Sequence, residues 1–338
     1  MKIRYLGSLE QTLRTGLRSL PAELVRQVGD YVLRQQCQDG GFPNRQGEPD
    51  IYYTAFALRT LALTNNLDSS LLSPTYQWLD TLQPTQFPTL VSLYSFVQSR
   101  AIANYLSSRE LTDQWEDFRS RASSYLSGFR TRDGGFAARR GSPATTIYQT
   151  FLGLLCCELL DLSFSDSDAC TTWLSKRQLA DGGYADTATV PTSGTNPTAA
   201  AAAIWQMTGS LPPAVAERIS QFLRSVYVPH TGFTAHARIT IPDLLSTFTG
   251  LWTTYTLGDT TFIAVGKLTA HVCCLQSSEG GFWAGPWEIP GRISFLGDAK
   301  HTAPDAEYTF YGLASLALLQ VIRNTHSSSQ IATNNGGN

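Results

Sequence analysis

Charge and sulfur are both scarce in this chain. Of its 338 residues, 15% are Asp, Glu, Lys or Arg, and they leave a net charge of −2. No cluster of Lys and Arg marks a nucleic-acid surface, which depends on such clusters. No apolar run is long enough to span a bilayer. The opening "MKIRYLGSLEQTLRTGLRSL" lacks the unbroken apolar stretch of a signal peptide. These absences predict a soluble, cytoplasmic protein with no nucleic-acid partner and no membrane span. Six cysteines are present, at 37, 156, 157, 170, 273 and 274, without a Cys-x-x-Cys pair. Cys156 and Cys157 lie in an apolar helical stretch and read as small buried side chains, which argues against a zinc cluster or a disulfide framework.

What the chain does have is a repeat. "QCQDGGFPNRQGEPDIYYTAFALRTL" returns as "TRDGGFAARRGSPATTIYQTFLGLL", as "LADGGYADTATVPTSGTNPTAAAAAIW" and as "SSEGGFWAGP". The second glycines are Gly41, Gly135, Gly183 and Gly281, and Gly232 in "PHTGFTAHA" marks a weaker copy. The later steps are 48 or 49 residues, and the first step of 94 is two periods. A degenerate unit is therefore expected near Phe87-Pro88. The period predicts six units.

Each unit has one grammar. An amphipathic helix with apolar residues at three- and four-residue spacing precedes the turn. The glycines then allow backbone angles that other residues resist. A second helix opens at Pro49-Asp50, Thr145-Thr146, Pro242-Asp243 or Pro304-Asp305, where Asp or Thr can cap free amides. The second helices, such as "TFLGLLCCELL" and "TFYGLASLALL", are apolar nearly all round, so they are expected to be buried on both sides. Six such pairs suit either a superhelix or a closed double ring with the second helices inside. Asp39, Asp133 and Asp181 recur from unit to unit and read as structural. Asp166 and Asp168 in "SFSDSDAC" read as cap and turn.

The "Q-x-x-DGGF" turns with the "PD-x-x-x-T-x-x-GL" helix starts resemble the prenyltransferase and squalene-cyclase repeat superfamily over about residues 20 to 323. The nearest likeness is to β subunits of protein prenyltransferases, especially the geranylgeranyl type II branch. The resemblance implies an all-α fold, an α6/α6 toroid of six helical hairpins, here one domain over 1–325; the polar composition of 326–338 predicts a disordered tail. It implies an isoprenoid diphosphate in a central aromatic cavity, transfer of the prenyl group, and an α-type partner subunit. Independently, inner helices that start at one rim gather positive dipole ends there.

The family's zinc is held by an Asp and a Cys in "D-x-C" and by a His in "D-x-x-H-T". Here "IPDLLSTF" keeps Asp243 but has Leu245 at the Cys position. "APDAEYTF" keeps Asp305 and Thr309 but has Tyr308 at the His position. Leucine offers zinc no donor, so two of three ligands are missing. His236, His301 and Asp305 are the residues with ligand chemistry that would have to rebuild a site around Asp243. Asp243, Tyr308 and Asp305 stand as catalytic candidates, with capping as the competing role of the two acids. Arg238, Arg292, Lys300 and His301 are the anion-binding candidates. Tyr52, Tyr148, Trp205, Trp252 and Tyr311 are the cavity candidates, suited to a polyprenyl chain or, through cation–π attraction, to a carbocation. No "DxDD" run of the cyclising relatives occurs, although a zinc-free, terpene-cyclase-like enzyme and a non-catalytic binding ring stay open as alternatives. The long segment 280–305 is expected to lie over the inner-helix rim. Any site is expected where the units differ, near 236–252 and 283–311.

Overall fold

A computed structural model describes residues 4–66, 69–106, 112–189, 191–209, 211–289 and 303–335. Its building block is the glycine turn, which is held from several sides. The glutamine of the motif donates to the carbonyl of the first glycine, as Gln178 Nε2 does to Gly182 at 2.9 Å. The aspartate accepts from the second glycine: Asp39 from the Gly41 amide at 3.0 Å and Asp181 from the Gly183 amide at 3.1 Å. Asp133 accepts from the Thr145 hydroxyl at 3.1 Å. All three aspartates are thus used inside their turns.

The next residue drives the turn into the core. Phe42, Phe136, Tyr184, Phe233 and Phe282 are all fully buried. Each donates its amide to a threonine hydroxyl of the following helix: Thr54, Thr150, Thr198, Thr247 and Thr309, at 2.9–3.2 Å. Thr54 and Thr150 pass the bond on to the carbonyl of their own helix cap at 2.7 Å. A buried amide left unpaired would cost about 1–3 kcal/mol, so the motif's threonine is a structural staple.

Helix α1 (Tyr5–Leu17) precedes the repeats. The outer helices are α2 (Ala22–Arg34), α4 (Ser69–Asp80), α6 (Thr112–Ser127), α8 (Ser167–Ser175), α10 (Pro213–Ser225) and α12 (Val265–Cys273). The inner helices are α3 (Ile51–Thr64), α5 (Leu90–Leu106), α7 (Ile147–Leu159), α9 (Thr195–Thr208), α11 (Leu244–Thr256) and α13 (Ala306–Asn335). Each inner helix packs on the next, and α13 packs on α3. The six hairpins therefore form a closed α6/α6 ring. A two-residue antiparallel pair, β1 (Tyr227–Val228) with β2 (Gly232–Phe233), replaces the full glycine turn of the fifth unit. In the degenerate second unit a 3-10 turn at Pro84–Gln86 does the same, and Thr89 Oγ1 accepts from the Ser92 amide.

Closure is built turn by turn. The turn of one unit caps the inner helix of the unit before it: Leu90 donates to Ala138, Ile147 to Asp186, Thr195 to Ala235 and Leu244 to Ala284, backbone to backbone. Gly280 needs a φ of +109°, and a Cβ there would lie 2.4 Å from the Gln27 carbonyl oxygen of α2. The last turn thus seats against the first outer helix with no room for a side chain.

Two features differ from the sequence reading. Helix α1 closes one end of the ring. It packs on α13 and α3, and Gly16 lies so near α13 that a Cβ would strike the Ala317 backbone. Both Glu158 carboxylate oxygens, at the end of α7, accept the first amides of α1 from Tyr5 and Leu6. Helix α13 also continues to Asn335 instead of stopping at the polar run from 326 onward.

Candidate functional site

The ring encloses a central cavity of about 430 Å³. Tyr52, Phe56, Tyr148, Phe248, Trp252 and Tyr311 give it an aromatic wall, and Ala199 and Ala200 of α9 leave room on one side. The rings contact one another edge to face: Tyr52 with Phe56 at 5.0 Å and Phe56 with Tyr311 at 5.2 Å. Tyr148 stays 37% exposed because it opens on this space. Four of the five cavity candidates, Tyr52, Tyr148, Trp252 and Tyr311, therefore meet on one wall. Trp205 does not join them. It is buried, and its Nε1 donates to the Tyr184 hydroxyl at 3.3 Å.

The rim where the inner helices begin is acidic. Asp50 caps α3 by accepting from the Tyr52 and Tyr53 amides. Asp243 caps α11 with both oxygens taken, by the Ser246 amide and the Ser246 hydroxyl, each at 2.8 Å. Asp305 caps α13 through the Tyr308 amide at 2.8 Å and pairs with Arg45 at the same distance. Arg45 also reaches Glu288 at 3.2 Å and lies 5.5 Å over the Tyr308 ring. Burial pushes the Asp243 and Asp305 carboxyls up from their usual range.

Glu307 shares this rim and was not singled out in the sequence. Its Oε1 accepts from the Tyr52 hydroxyl at 2.7 Å. Burial first, and the charges of Asp305 and Asp243 after it, push its carboxyl up to about 7 against the pull of Tyr52 and Arg45. Asp186 was also missed. It lies on the cavity wall and accepts the Tyr148 amide at 2.7 Å.

The zinc positions look the same in three dimensions as in the sequence. Leu245 is part of the cavity wall, Tyr308 lies beneath Arg45, and Asp243 is consumed as a cap. Among the described residues no three His, Cys, Asp or Glu side chains gather as a metal site. The donors present around Asp243 do not fit zinc, which needs several N, S or O ligands at once. His236 uses Nδ1 to accept the Arg238 amide at 3.2 Å. Arg238 itself is exposed on its loop. Arg292, Lys300 and His301 lie outside the described residues, as does half of the segment expected to cover the rim.

At the opposite end, α1 builds a floor. Tyr5, Leu6 and Leu9 of α1 line the cavity together with Arg59 of α3 and Gln98 of α5. Arg59 was not predicted, although a signal existed. Counting five residues past the staple threonine, the other units with a staple carry Leu155, Ala203, Trp252 and Ala314, and the first carries Arg59. A charge inside an otherwise apolar inner helix breaks the repeat at one point.

The prenyltransferase alpha-alpha toroid domain family matches this sequence over residues 6–185 and 180–334. No curated protein matches it. Solved structures share the fold at low identity. The Candida albicans protein geranylgeranyltransferase-I complexed with GGPP superposes with a TM-score of 0.63 at 14% identity, covering 87% of this chain and 90% of that one. An α-1,6-mannanase of Salegentibacter sp. HEL1_6, complexed with α-1,6-mannotriose, gives 0.58 at 13% identity over 89% and 99%. A type II terpene cyclase from Scytonema, complexed with geranylgeranyl dihydroxybenzoate, gives 0.55 at 13% identity over 92% and 99%.

Proposed function

The chain belongs to the prenyltransferase alpha-alpha toroid family, and from that premise we propose that it is an isoprenoid-binding ring whose chemistry runs by proton transfer, without zinc. The observation that carries the reading is the cavity wall, where Tyr52, Phe56, Phe248, Trp252 and Tyr311 enclose a volume of about 430 Å³. Such a wall suits a polyprenyl chain, and its ring faces suit cationic character developing on that chain. Leu245 and Tyr308 at the zinc positions argue against transfer to a metal-bound thiolate, and an α-type partner that presents such an acceptor is not part of this reading.

Glu307 supplies the alternative. With its carboxyl pushed up to about 7, both protonation states are populated near neutral pH, the condition that favours general acid–base work. Tyr52 bonds to Glu307 and also lines the cavity, so its hydroxyl is the group through which a proton passes between carboxyl and ligand. A sugar is disfavoured as the ligand. Glycosidases work with two carboxyl groups flanking the scissile bond. Here Asp186 is the one carboxylate on the described cavity wall, and it is held by the Tyr148 amide.

Calorimetric titration with farnesyl and geranylgeranyl diphosphate, with added zinc and then with chelator, tests the reading. Equal affinity under both conditions is the expected result. Binding that requires zinc would overturn the metal-free part, and no binding to either lipid would overturn the isoprenoid assignment.

A further inference from the structure

The floor of the cavity carries a cation, Arg59. Arg59 stacks its guanidinium 3.8 Å above the centre of the Phe310 ring and lies 5.6 Å from that of Phe56. Among the described residues it makes no ion pair and no hydrogen bond. The acids that share its two cavities or sit at the start of α1 are bonded elsewhere. Glu10 pairs with Arg14 at 2.8 Å, Asp186 accepts the Tyr148 amide at 2.7 Å, and both Glu158 oxygens hold the first amides of α1. Arg59 is half-buried, and stacking on an aromatic face answers its charge only in part.

The neighbouring groups add donors and few acceptors. The Tyr5 hydroxyl accepts from Trp252 Nε1 at 2.9 Å, and the Tyr94 hydroxyl accepts from Gln98 Nε2 at 2.8 Å. Each phenol keeps its own proton unused. Burial pushes the Tyr94 phenol up to about 12 and the Tyr5 phenol higher still, so both remain donors at neutral pH. Arg59 adds a guanidinium with five N–H groups. Arg59 also stands at a junction. With Leu6, Leu9 and Gln98 it lines both the central cavity and a second, smaller chamber of about 210 Å³ that leads out beside Tyr105. At the opposite rim Asp243 and Asp305 already take the helix-start amides, and Glu307 adds a third acid. Arg59 lies seven residues below Tyr52 on α3, about 10 Å along the helix.

We infer that Arg59, Tyr5 and Tyr94 form a floor-side site for a carboxylate or phosphate, so that the ligand is an isoprenoid amphiphile held with its anionic end down and its chain rising between the aromatic residues. This rests on the isoprenoid reading above and adds the polarity and direction of the ligand. In it the acidic rim and Glu307 face the chain end, away from the head group.

Titration of the full chain with farnesol, farnesoic acid and farnesyl diphosphate, repeated on Arg59→Gln and Arg59→Lys, is the test. The wild type is expected to bind at least one of the two anionic lipids tenfold or more tighter than the alcohol. R59Q should erase that preference while leaving farnesol affinity within about twofold, which also shows that the cavity is intact. R59K should retain most of the preference. A tighter acid than diphosphate assigns a carboxylate head, and the reverse assigns a phosphate. Equal binding of alcohol and anions by the wild type, or a preference that survives R59Q, overturns the inference and leaves the isoprenoid reading standing. Failure of all three lipids to bind removes that reading and this inference with it.

Discussion

The two ends of the ring are made by different means. The rim at the start of the inner helices is repeated: the same glycine turn, buried aromatic, threonine staple and acidic or hydroxyl cap recur around it. The floor is made once. It uses α1, which no repeat copies, and residues such as Arg59 that break the pattern of their own unit. The rim spends its acids on helix caps, as Asp243 does with both oxygens. On the floor, Arg59 makes no ion pair among the described residues. Repetition therefore produced the part that holds the ring together, and departures from repetition produced the part that can discriminate a ligand.

If the rim carries the stability of the ring, the largest effect belongs to its buried aromatics. Phe282→Ala should cost about 3–5 kcal/mol in urea unfolding, because the side chain is fully buried and the turn cannot collapse around the gap. A loss below 1 kcal/mol would break the comparison from the rim side. The floor is expected to be structural as well. Leu13→Ala in α1 should cost about 2–5 kcal/mol, since Leu13 belongs to the main core, and a near-neutral result would mark α1 as a loosely attached cover. Thr309→Val, which keeps the shape and removes the staple, should cost about 1–3 kcal/mol by stranding the Phe282 amide.

A pH series sharpens the same contrast. The folded carboxyl of Glu307 sits above its ordinary value. Its contribution to stability is therefore fully present below about pH 4.5 and is lost as pH rises through about 7. Glu307→Gln should remove that loss, so that the variant gains about 1–3 kcal/mol on the wild type between pH 4.5 and 8 in urea unfolding. Parallel curves would contradict a raised Glu307. The smallest change is expected at Arg238→Ala, an exposed loop position, with stability within about 0.5 kcal/mol and lipid affinity unaltered in titration. A large loss of affinity there would return the anion site to the rim.

The repeat was legible in the chain because its parts are local. A glycine at positive φ, a glutamine and an aspartate within five residues of it, and a threonine at the next helix start all act over short stretches of sequence. The aromatic wall was largely legible too, because Tyr52, Tyr148, Trp252 and Tyr311 sit on helices that are apolar all round. Trp205 sits on such a helix as well, yet it turns to Tyr184. Which side of an all-apolar helix meets the cavity is set by its neighbours, and periodicity carries no information when both sides are apolar. Asp243 and Asp305 read equally well as caps or ligands until their bonds to Ser246, Tyr308 and Arg45 decided for capping.

By itself, then, the sequence determined six helical hairpins with buried second helices, because hydrophobic period, turn chemistry and capping are properties of adjacent residues. Closure was decided in tertiary structure, where each turn caps the unit before it and Gly280 meets α2 across the whole length of the chain. So was the polarity of the cavity. Arg59, Tyr5, Tyr94 and Glu307 come from four helices, α3, α1, α5 and α13, and whether a charge has a partner depends on what folding brings within a few ångströms of it.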